Sequence, residues 1–348
     1  MDGTIYKSVD KKIWKSRIKS RMKIVVTGAT SFIGTASVRR FLLDGQDVFA
    51  VIRPGSKNLP ALLQVEKEVA EQMSKTGTVS GRLQIVECNL SQIERISERV
   101  PQADVWVHLG WDGAGSENRT RRDVQQNNVV LSLASVRAAV SIGCGRFLFS
   151  GSQAEYGVWH QTIDEDTPCH PVSEYGKAKV DFYNQAKSLC KILKMEYIHT
   201  RIFSVYGPGD HPWSLVNSCL DTWTRAETMK LGPCTQNWNF LYIEDMAEAL
   251  SHLLSEGREG TYNIASMDTR PLRSYVEEMY EICGSKGSFL YGERPQNAEG
   301  PADLMPDIQK ICRETSWRPK TSFAEGIYET LHCLRTSSAG ERTSLSSM

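Results

Sequence analysis

The sequence predicts an α/β protein with a doubly wound parallel sheet and a smaller C-terminal lobe. Short, nearly continuous apolar strands alternate with helical patterns as far as Ser150, which is typical of βαβ units in a sheet covered on both faces. After Gly151 the alternation becomes less regular, and beyond Phe203 proline and glycine are frequent. The length of 348 residues suits a large unit with an appended lobe, at about 150 residues per domain.

The individual elements follow in a regular order. Apolar, β-branched runs predict strands at 23–28, 47–52, 83–87, 105–109 and 146–150. Helical patterns between these runs predict helices at 32–43, 59–73 and 121–141. Beyond residue 151 we expect a helix from Glu174, a strand at 197–203, and helices at 244–254, 272–283 and 323–334.

Composition excludes several classes of protein. The 41 Lys and Arg residues balance 41 Asp and Glu residues, so the chain has no overall attraction for nucleic acid or anionic membranes. No apolar run reaches the roughly 18 residues that a membrane span needs, and the N-terminal segment lacks a secretory signal pattern. The nine cysteines form no C-x-x-C pair or zinc-like cluster. We therefore expect a cytoplasmic protein with free thiols and no metal site.

A glycine-rich turn follows the first strand in the segment KIVVTGATSFIG. A strand, a tight turn and a helix N-terminus form an anion site, because backbone N–H groups and the helix dipole face a pyrophosphate there. The pattern therefore predicts a Rossmann-type dinucleotide site. Ser31 stands where a further glycine is usual, and its hydroxyl could donate to a phosphate. The residues of this turn expected at the cofactor are Gly28, Thr30, Ser31, Phe32, Ile33 and Gly34.

The end of the second predicted strand bears on which dinucleotide binds. Dinucleotide folds often place a carboxylate here for the adenosine ribose, whereas this chain reads Val-Ile-Arg53-Pro-Gly-Ser. Arg53 could pair with a 2′-phosphate, which favours NADP(H), with NAD(H) still possible. The alternative is that Arg53 is an ordinary solvated arginine.

Three residues form a candidate catalytic set. Ser152 lies just beyond the fifth predicted strand, and Tyr175 and Lys179 are four residues apart at a helix start, so they share one helix face. A neighbouring cation stabilises a phenolate, which would make Tyr175 a proton donor or acceptor for a carbonyl/alcohol pair. Ser152 can bind the same oxygen. A Tyr-x-x-x-Lys pair alone is common by chance, so the prediction depends on its place after a glycine-rich turn and a strand-end serine.

Together these motifs resemble the extended short-chain dehydrogenases/reductases of the nucleotide-sugar epimerase/dehydratase kind, over about residues 23–334. Further similar segments are His108-Leu109-Gly110, 201–209, 240–245, 262–265 and 315–327. The resemblance implies additional cofactor contacts at Asn89, Leu90, Leu109, Gly110, Asn128, Ser150, Tyr175, Lys179 and Phe203. It implies substrate contacts at Trp111, Ser152, Gln153 and Ser204. Weaker pointers in the substrate lobe are Trp213, Trp238, Asn239, Arg273 and Arg294.

The resemblance also implies a domain organisation. We expect a flexible lead-in over 1–20 and a dinucleotide-binding domain over 21–203, to which the segment 236–265 returns. A substrate-binding lobe would cover 204–235 and 266–335, and a disordered tail 336–348, which is polar and rich in small residues. A nucleotide-sugar substrate is implied as partner. A homodimer through the helices near 121–141 and 175–193 is implied as well.

Departures from the family pattern narrow the reaction. Sugar 4,6-dehydratases of the family follow the catalytic Ser/Thr with Asp-Glu, whereas Gln153-Ala154 stands here and cannot transfer protons for water elimination. Glu155 comes one place later, where we expect it to point elsewhere. Reduction of a nucleotide-linked 4-keto-6-deoxyhexose with NADPH is the favoured reaction, because Arg53 favours NADPH. The main alternative is a 4-epimerase with tightly bound NAD. A dehydratase, a non-sugar ketoreductase and a non-catalytic dinucleotide-binding protein are less favoured.

Overall fold

A computed structural model describes residues 21–115, 117–295 and 302–345. The predicted lead-in over 1–20 lies outside the described residues. Twelve strands are present in this part of the chain: β1 (Lys23–Thr27), β2 (Asp47–Ile52), β3 (Leu83–Glu87), β4 (Val105–His108), β5 (Arg146–Ser152), β6 (Glu196–Ile202), β7 (Ser204–Tyr206), β8 (Thr228–Lys230), β9 (Asn237–Tyr242), β10 (Gly260–Ile264), β11 (Thr269–Pro271) and β12 (Ser288–Leu290).

Helices connect these strands. Their bounds are α1 (Phe32–Leu43), α2 (Leu59–Thr76), α3 (Arg122–Ser141), α4 (Glu174–Leu193), α5 (Leu215–Thr224), α6 (Ile243–Ser255), α7 (Leu272–Ile282), α8 (Gln309–Glu314) and α9 (Phe323–Leu345). Short 3₁₀ helices lie at Leu90–Glu98 and Gln153–Glu155. Over the stretches that the structure describes, none of these helices is long and apolar enough to cross a bilayer.

Seven parallel strands form the central sheet, in the order β10-β6-β5-β4-β1-β2-β3. The chain first builds outward from β1 to β3 and then resumes at β4 on the other side of β1. Ligands of doubly wound sheets bind at such a reversal, at the carboxyl ends of the strands. β4 is buried along its whole length, which accounts for its continuous apolar sequence. The predicted Rossmann-type fold class is confirmed.

The C-terminal lobe is built from short strands and helices. β7 continues almost directly from β6 and pairs in parallel with β9, which β11 joins in antiparallel fashion. A separate parallel pair is formed by β8 and β12. Its three-residue strands give too few alternating positions to be predicted, and α5 and α8 were also not expected from the sequence.

The segment predicted as a disordered tail differs from expectation. In the structure α9 starts at Phe323 and continues to Leu345, so a helix covers 336–345 of the predicted tail. The small polar residues of this stretch include no proline, and they extend a helix whose first turns are anchored in the core by Phe323, Ile327 and Leu331. Extending an existing helix costs much less than nucleating one, which explains the difference.

Arg146 holds the amino-terminal edge of the sheet together. It opens β5, is almost fully buried, and pairs with Glu196 of β6 at 2.8 Å. Its guanidinium also donates to the carbonyl oxygens of Leu253, Leu254 and Gly257, at 2.7 to 3.0 Å. These carbonyls end α6, so one side chain caps a helix and joins it to two strands.

We expect Arg146→Met to lower the free energy of unfolding by about 3 kcal/mol, because it leaves Glu196 and the end of α6 without a donor. Chemical denaturation followed by circular dichroism measures this change. Arg95→Met is the matched control, since the Arg95–Glu98 pair is mostly exposed and its loss should leave stability nearly unchanged. Equal effects of the two substitutions would contradict the assignment.

Candidate active site

The glycine-rich turn lies at the reversal between β1 and β4. Gly28 has a φ of +69°, and a Cβ there would come within 2.8 Å of the backbone nitrogen of Gly110. A Cβ on Gly34 would collide with the carbonyl oxygen of Gly28. Both glycines are therefore required by close backbone approach, as expected for a turn that receives a pyrophosphate.

Ser31 has a structural role in this turn. It is the N-cap of α1, and its hydroxyl accepts a hydrogen bond from the Gly34 nitrogen at 3.0 Å. The hydroxyl hydrogen is still available to a ligand, because a hydroxyl can accept and donate at once. Phe32 and Ile33 follow in the first turn of α1 and pack against the core. The serine thus replaces the usual glycine without closing the anion site.

The loop after β2 lies against the glycine-rich turn. The Thr30 hydroxyl is 3.1 Å from the Ser56 hydroxyl, and the Asn58 amide donates to the Thr30 carbonyl oxygen at 3.2 Å. Arg53 and Lys57 are exposed in this loop, and neither side chain makes a described hydrogen bond or ion pair within residues 21–115, 117–295 and 302–345. Two cations next to hydroxyl groups give this end of β2 the character of a phosphate site.

His108 links the ends of β1 and β4 beneath the turn. Its imidazole contacts the Thr27 hydroxyl at 2.8 Å and the Ser132 hydroxyl at 3.0 Å, and it is fully buried. Burial, with a smaller contribution from Lys179, lowers the pKa of His108 to about 3, so the ring is neutral at ordinary pH. The Thr27 hydroxyl also accepts from the Gly110 nitrogen at 3.3 Å, which holds the two strand ends in register.

The other predicted cofactor contacts take part in local structure at the same edge. Asn89 caps the first 3₁₀ helix through Ser91, and Leu90 lies against Gly110. Leu109 packs against the core, and Phe203 is buried, with its nitrogen donating to Ile264.

Asn128 anchors the loop after β4. Its buried amide donates to the carbonyl oxygen of Asp112 at 2.8 Å and accepts from the Asp112 nitrogen at 2.9 Å. Gln125, one helical turn earlier, accepts from the Trp111 indole at 2.8 Å. Asn128 is a predicted cofactor contact, whereas no motif in the sequence points to Gln125. In the structure the two amides hold Trp111 in place against the catalytic set.

Lys179 connects the carboxyl end of β5, which Ser152 closes, with the Tyr175 ring, whose centre is 5.5 Å from the ammonium. The Lys179 ammonium donates to the Ser150 carbonyl oxygen at 2.7 Å and lies 4.0 Å from the centre of the Trp111 ring. Burial is the largest cause that lowers the pKa of Lys179 to about 7; Glu155 opposes the shift and Arg119 adds to it. Lys179 can therefore gain or lose a proton near neutral pH.

Ser152 is held by its own short helix. Its hydroxyl donates to the Gln153 side-chain oxygen at 2.7 Å and accepts from the Ala154 nitrogen at 3.2 Å. Its backbone nitrogen donates to Glu155 at 2.9 Å, which completes a capping box.

Glu155 points into the protein interior. Its carboxylate is fully buried, accepts from His199 at 2.8 Å, and pairs with Arg201 at 3.1 Å. Burial raises the pKa of Glu155, but His199, Arg201 and the Ser152 nitrogen outweigh it, so the carboxyl stays ionised. A Cβ on Gly151 would collide with this cluster, which explains why a glycine stands between Ser150 and Ser152. Nothing in the sequence signalled His199 as the partner.

A cavity of about 310 Å³ is lined by Gln153 and Ala154, the two residues that follow Ser152, and by residues of the lobe. Gln153 and Ser173 line one end, and Trp238 and Arg294 line the lobe side. The Gln236 side-chain oxygen and the Trp238 indole nitrogen are buried here without a hydrogen-bond partner in the part of the chain that the structure describes. Unpaired buried polar atoms are costly, so this cavity suits a polar ligand.

The remaining substrate candidates differ in whether their side chains are available to a ligand. Ser204 opens β7, and Arg273 donates to the Pro233 carbonyl oxygen near the cavity. Asn239 is fully buried and bonds the backbone of Ser266 and Asp268, so it is structural. Trp213 is 71% exposed and stacks on His211 outside the lining of the cavity.

Comparisons with known proteins agree with this architecture. A family model described as the NAD dependent epimerase/dehydratase family matches residues 24–265. UDP-glucuronic acid decarboxylase 1 of Arabidopsis thaliana is 23% identical over 89% of this chain and 69% of its own length. Low-salt glycan biosynthesis protein Agl12 of Haloferax volcanii is 26% identical over 88% and 96%. The dTDP-6-deoxy-L-talose 4-dehydrogenase (NAD(+)) of Aggregatibacter actinomycetemcomitans is 25% identical over 74% and 89%.

Solved structures show the same fold. The UDP-glucose 4-epimerase of Thermotoga maritima with UDP-glucose superposes with a TM-score of 0.77 at 21% identity, covering 91% of this chain and 99% of the epimerase. The UDP-glucose 4-epimerase of Thermus thermophilus in complex with NAD gives a TM-score of 0.73 at 21% identity, with 90% and 99% covered.

The neutral, buried His108 should make folding sensitive to acid. The folded imidazole binds a proton only near pH 3, whereas its ordinary pKa is 6.5, so unfolding takes up a proton between these values. The free energy of unfolding therefore falls as the pH drops through this window. We expect His108→Gln to lower the number of protons taken up on unfolding by up to one. The slope of the free energy of unfolding against pH, from urea denaturation between pH 6.5 and 4, measures this number. An unchanged pH dependence would contradict the assignment.

Proposed function

The chain belongs to the NAD dependent epimerase/dehydratase family, and on this basis we propose that it transfers a hydride between NADP(H) and C4 of a nucleotide-linked hexose. The favoured reaction is reduction of a 4-keto-6-deoxyhexose. The observation that carries this proposal is that Lys179 binds the Ser150 carbonyl oxygen two residues before Ser152 and lies 5.5 Å from the centre of the Tyr175 ring, while Glu155 is held in a buried ion cluster. Ser152, Tyr175 and Lys179 can transfer a proton to or from a substrate oxygen. Glu155 cannot, because its carboxylate is already bound in the cluster.

The residues present suit a dinucleotide. Gly28 and Gly34 leave a cradle that any Cβ would fill, and Ser31 offers a hydroxyl hydrogen at the helix N-terminus. A nicotinamide dinucleotide held through its pyrophosphate at this turn would supply the hydride. Tyr175 would give the proton to the substrate oxygen, and Ser152 would orient that oxygen after its hydroxyl turns away from Gln153. Lys179, with a pKa of about 7, would return a proton to Tyr175 from solvent.

The surroundings of Ser152 disfavour a 4,6-dehydratase. Eliminating water across C5 and C6 needs an acid and a base at those carbons, in addition to the tyrosine. Gln153 and Ala154 cannot supply them. Glu155 is fully buried and already accepts from His199, Arg201 and the Ser152 nitrogen, so it is not free to transfer protons at a sugar carbon.

The cavity of about 310 Å³ supports a nucleotide-linked substrate. Its apolar walls include Leu231 and Leu272, whereas Gln236 and Trp238 bring unpaired polar atoms and Arg294 brings a cation. A base, a diphosphate and a sugar present this combination of apolar faces, hydrogen-bonding edges and negative charge.

A 4-epimerase with retained NAD is the second candidate. The same three catalytic residues serve it, and the fold superposes on that of a UDP-glucose 4-epimerase with a TM-score of 0.77. The two candidates differ in whether the dinucleotide must exchange. A homodimer through α3 and α4 and a cytoplasmic location stay predictions.

We expect Tyr175→Phe to lower kcat for NADPH oxidation with a 4-keto-6-deoxy sugar nucleotide by about 10²- to 10⁴-fold, because it removes the proton donor. Absorbance at 340 nm follows the reaction. Tyr328→Phe is the matched control, since Tyr328 lies exposed on α9. Turnover that survives in Tyr175→Phe would refute the catalytic assignment.

We expect Arg53→Asp to lower the preference for NADPH over NADH by about 10- to 100-fold in kcat/KM, because it replaces a charge-assisted hydrogen-bond donor by a repelling carboxylate. The dinucleotide released on denaturing the purified wild-type protein gives an independent result. NADP(H), or none, is expected. Near-stoichiometric NAD would contradict the role of Arg53 and favour the epimerase.

A further inference from the structure

Arg119 lies directly against the candidate catalytic tyrosine. It belongs to the loop between β4 and α3, and its guanidinium carbon is 4.2 Å from the centre of the Tyr175 ring. The Tyr175 nitrogen donates to the Arg119 carbonyl oxygen at 2.9 Å, so the backbone fixes this pair as well. Tyr175 is 8% exposed, and Arg119 is half-buried.

We propose that Arg119 is a positioning residue for Tyr175, and that its guanidinium on the ring face stabilises the phenolate form. This inference rests on the proposed role of Tyr175 as a proton donor. A cation above an aromatic face is attracted by the negative charge of the π system. Ionisation of the phenol increases that charge, so the attraction is stronger for the phenolate than for the neutral ring.

The state of Lys179 explains why a second cation is useful. Lys179 is buried and lies 5.5 Å from the centre of the Tyr175 ring, and its ammonium loses its proton near neutral pH. It cannot provide a permanent charge while it also passes protons to Tyr175. A guanidinium keeps its charge at every pH at which the protein is folded. Arg119 therefore provides the constant positive charge beside Tyr175, and Lys179 remains available to transfer protons.

Several charged groups that the structure describes near Tyr175 are engaged elsewhere. Asp112, on the loop of Trp111, turns its carboxylate to the backbone nitrogen of Gly113. Glu155 lies in the buried cluster, where Arg201 balances its charge and His199, whose pKa burial lowers, donates a hydrogen bond to it. Glu174 precedes Tyr175 on α4 and pairs with Lys177 on the outer face. Trp111 meets the Tyr175 ring edge-on, with centroids 6.3 Å apart, and carries no charge.

The test measures the ionisation of Tyr175 directly and needs no substrate. Tyrosine labelled with ¹³C at Cζ gives one signal for each of the 12 tyrosines, and Tyr175→Phe identifies the signal of Tyr175 by its loss. The chemical shift is followed from pH 6 to 10.5 in the wild type, in Arg119→Gln and in Arg119→Lys. Arg121→Gln is the matched control, because Arg121 is exposed and pairs with Asp123 two residues further along.

We expect Arg119→Gln to move the Tyr175 titration upward by about 0.5 to 1 pH unit, with partial recovery in Arg119→Lys and no change in Arg121→Gln. Thermal unfolding by circular dichroism establishes that each variant is folded. An unchanged titration in folded Arg119→Gln would overturn the proposal. A raised KM for the sugar nucleotide at an unchanged titration would also overturn it, and would make Arg119 a substrate contact instead.

The outcome is separable from that of the proposed function. If no 4-keto-6-deoxy sugar nucleotide is turned over by the wild type but the Tyr175 titration responds to Arg119, the substrate assignment fails and the inference on Arg119 stands. If turnover is observed but the titration does not respond, the proposed function stands and the inference fails. Where turnover is observed, the alkaline limb of kcat should move upward in Arg119→Gln by the same amount as the titration.

Discussion

At the carboxyl ends of β5 and β6, the carboxylate of Glu155 is removed from water and surrounded by three donors: His199, Arg201 and the backbone nitrogen of Ser152. An unpaired carboxylate in this place would be strongly unfavourable, so the donors and the acceptor hold one another in position. The candidate catalytic serine is therefore fixed through its backbone, and its side chain stays free to turn from Gln153 to a substrate. Lys179 lies in the field of the same carboxylate, which moderates the loss of its charge by burial.

Prediction from the sequence succeeded where local pattern and backbone geometry determine the structure. The strand runs at 47–52 and 83–87 coincide with β2 and β3. β2 is largely buried, and parallel strands of this kind have an unambiguous apolar sequence. Gly28 and Gly34 were recognised because only glycine fits the close approaches seen there. The spacing of Tyr175 and Lys179 placed both on one face of a helix.

Other parts of the site depend on contacts between distant residues, which no local pattern reveals. Glu155 and His199 are 44 positions apart in the sequence. Asn128 binds Asp112, which is 16 positions earlier, on the loop after β4. The capping role of Ser31 was missed for a different reason: the same hydroxyl suits a helix N-cap and a phosphate equally well. Asn239 resembles a ligand-binding polar residue in sequence, and only its bonds to Ser266 and Asp268 show that it holds two chain segments together.

The position of Arg146 has a consequence for how the molecule can be altered. It joins β5, β6 and the end of α6 at the edge of the sheet opposite to the one where Ser152 and Lys179 lie. The Arg146 junction and the groups that handle protons thus occupy opposite rims of one sheet, separated by the length of its strands. Thermostability can accordingly be engineered on the first rim and substrate choice on the second, and libraries of the two kinds can be combined with little interference between them.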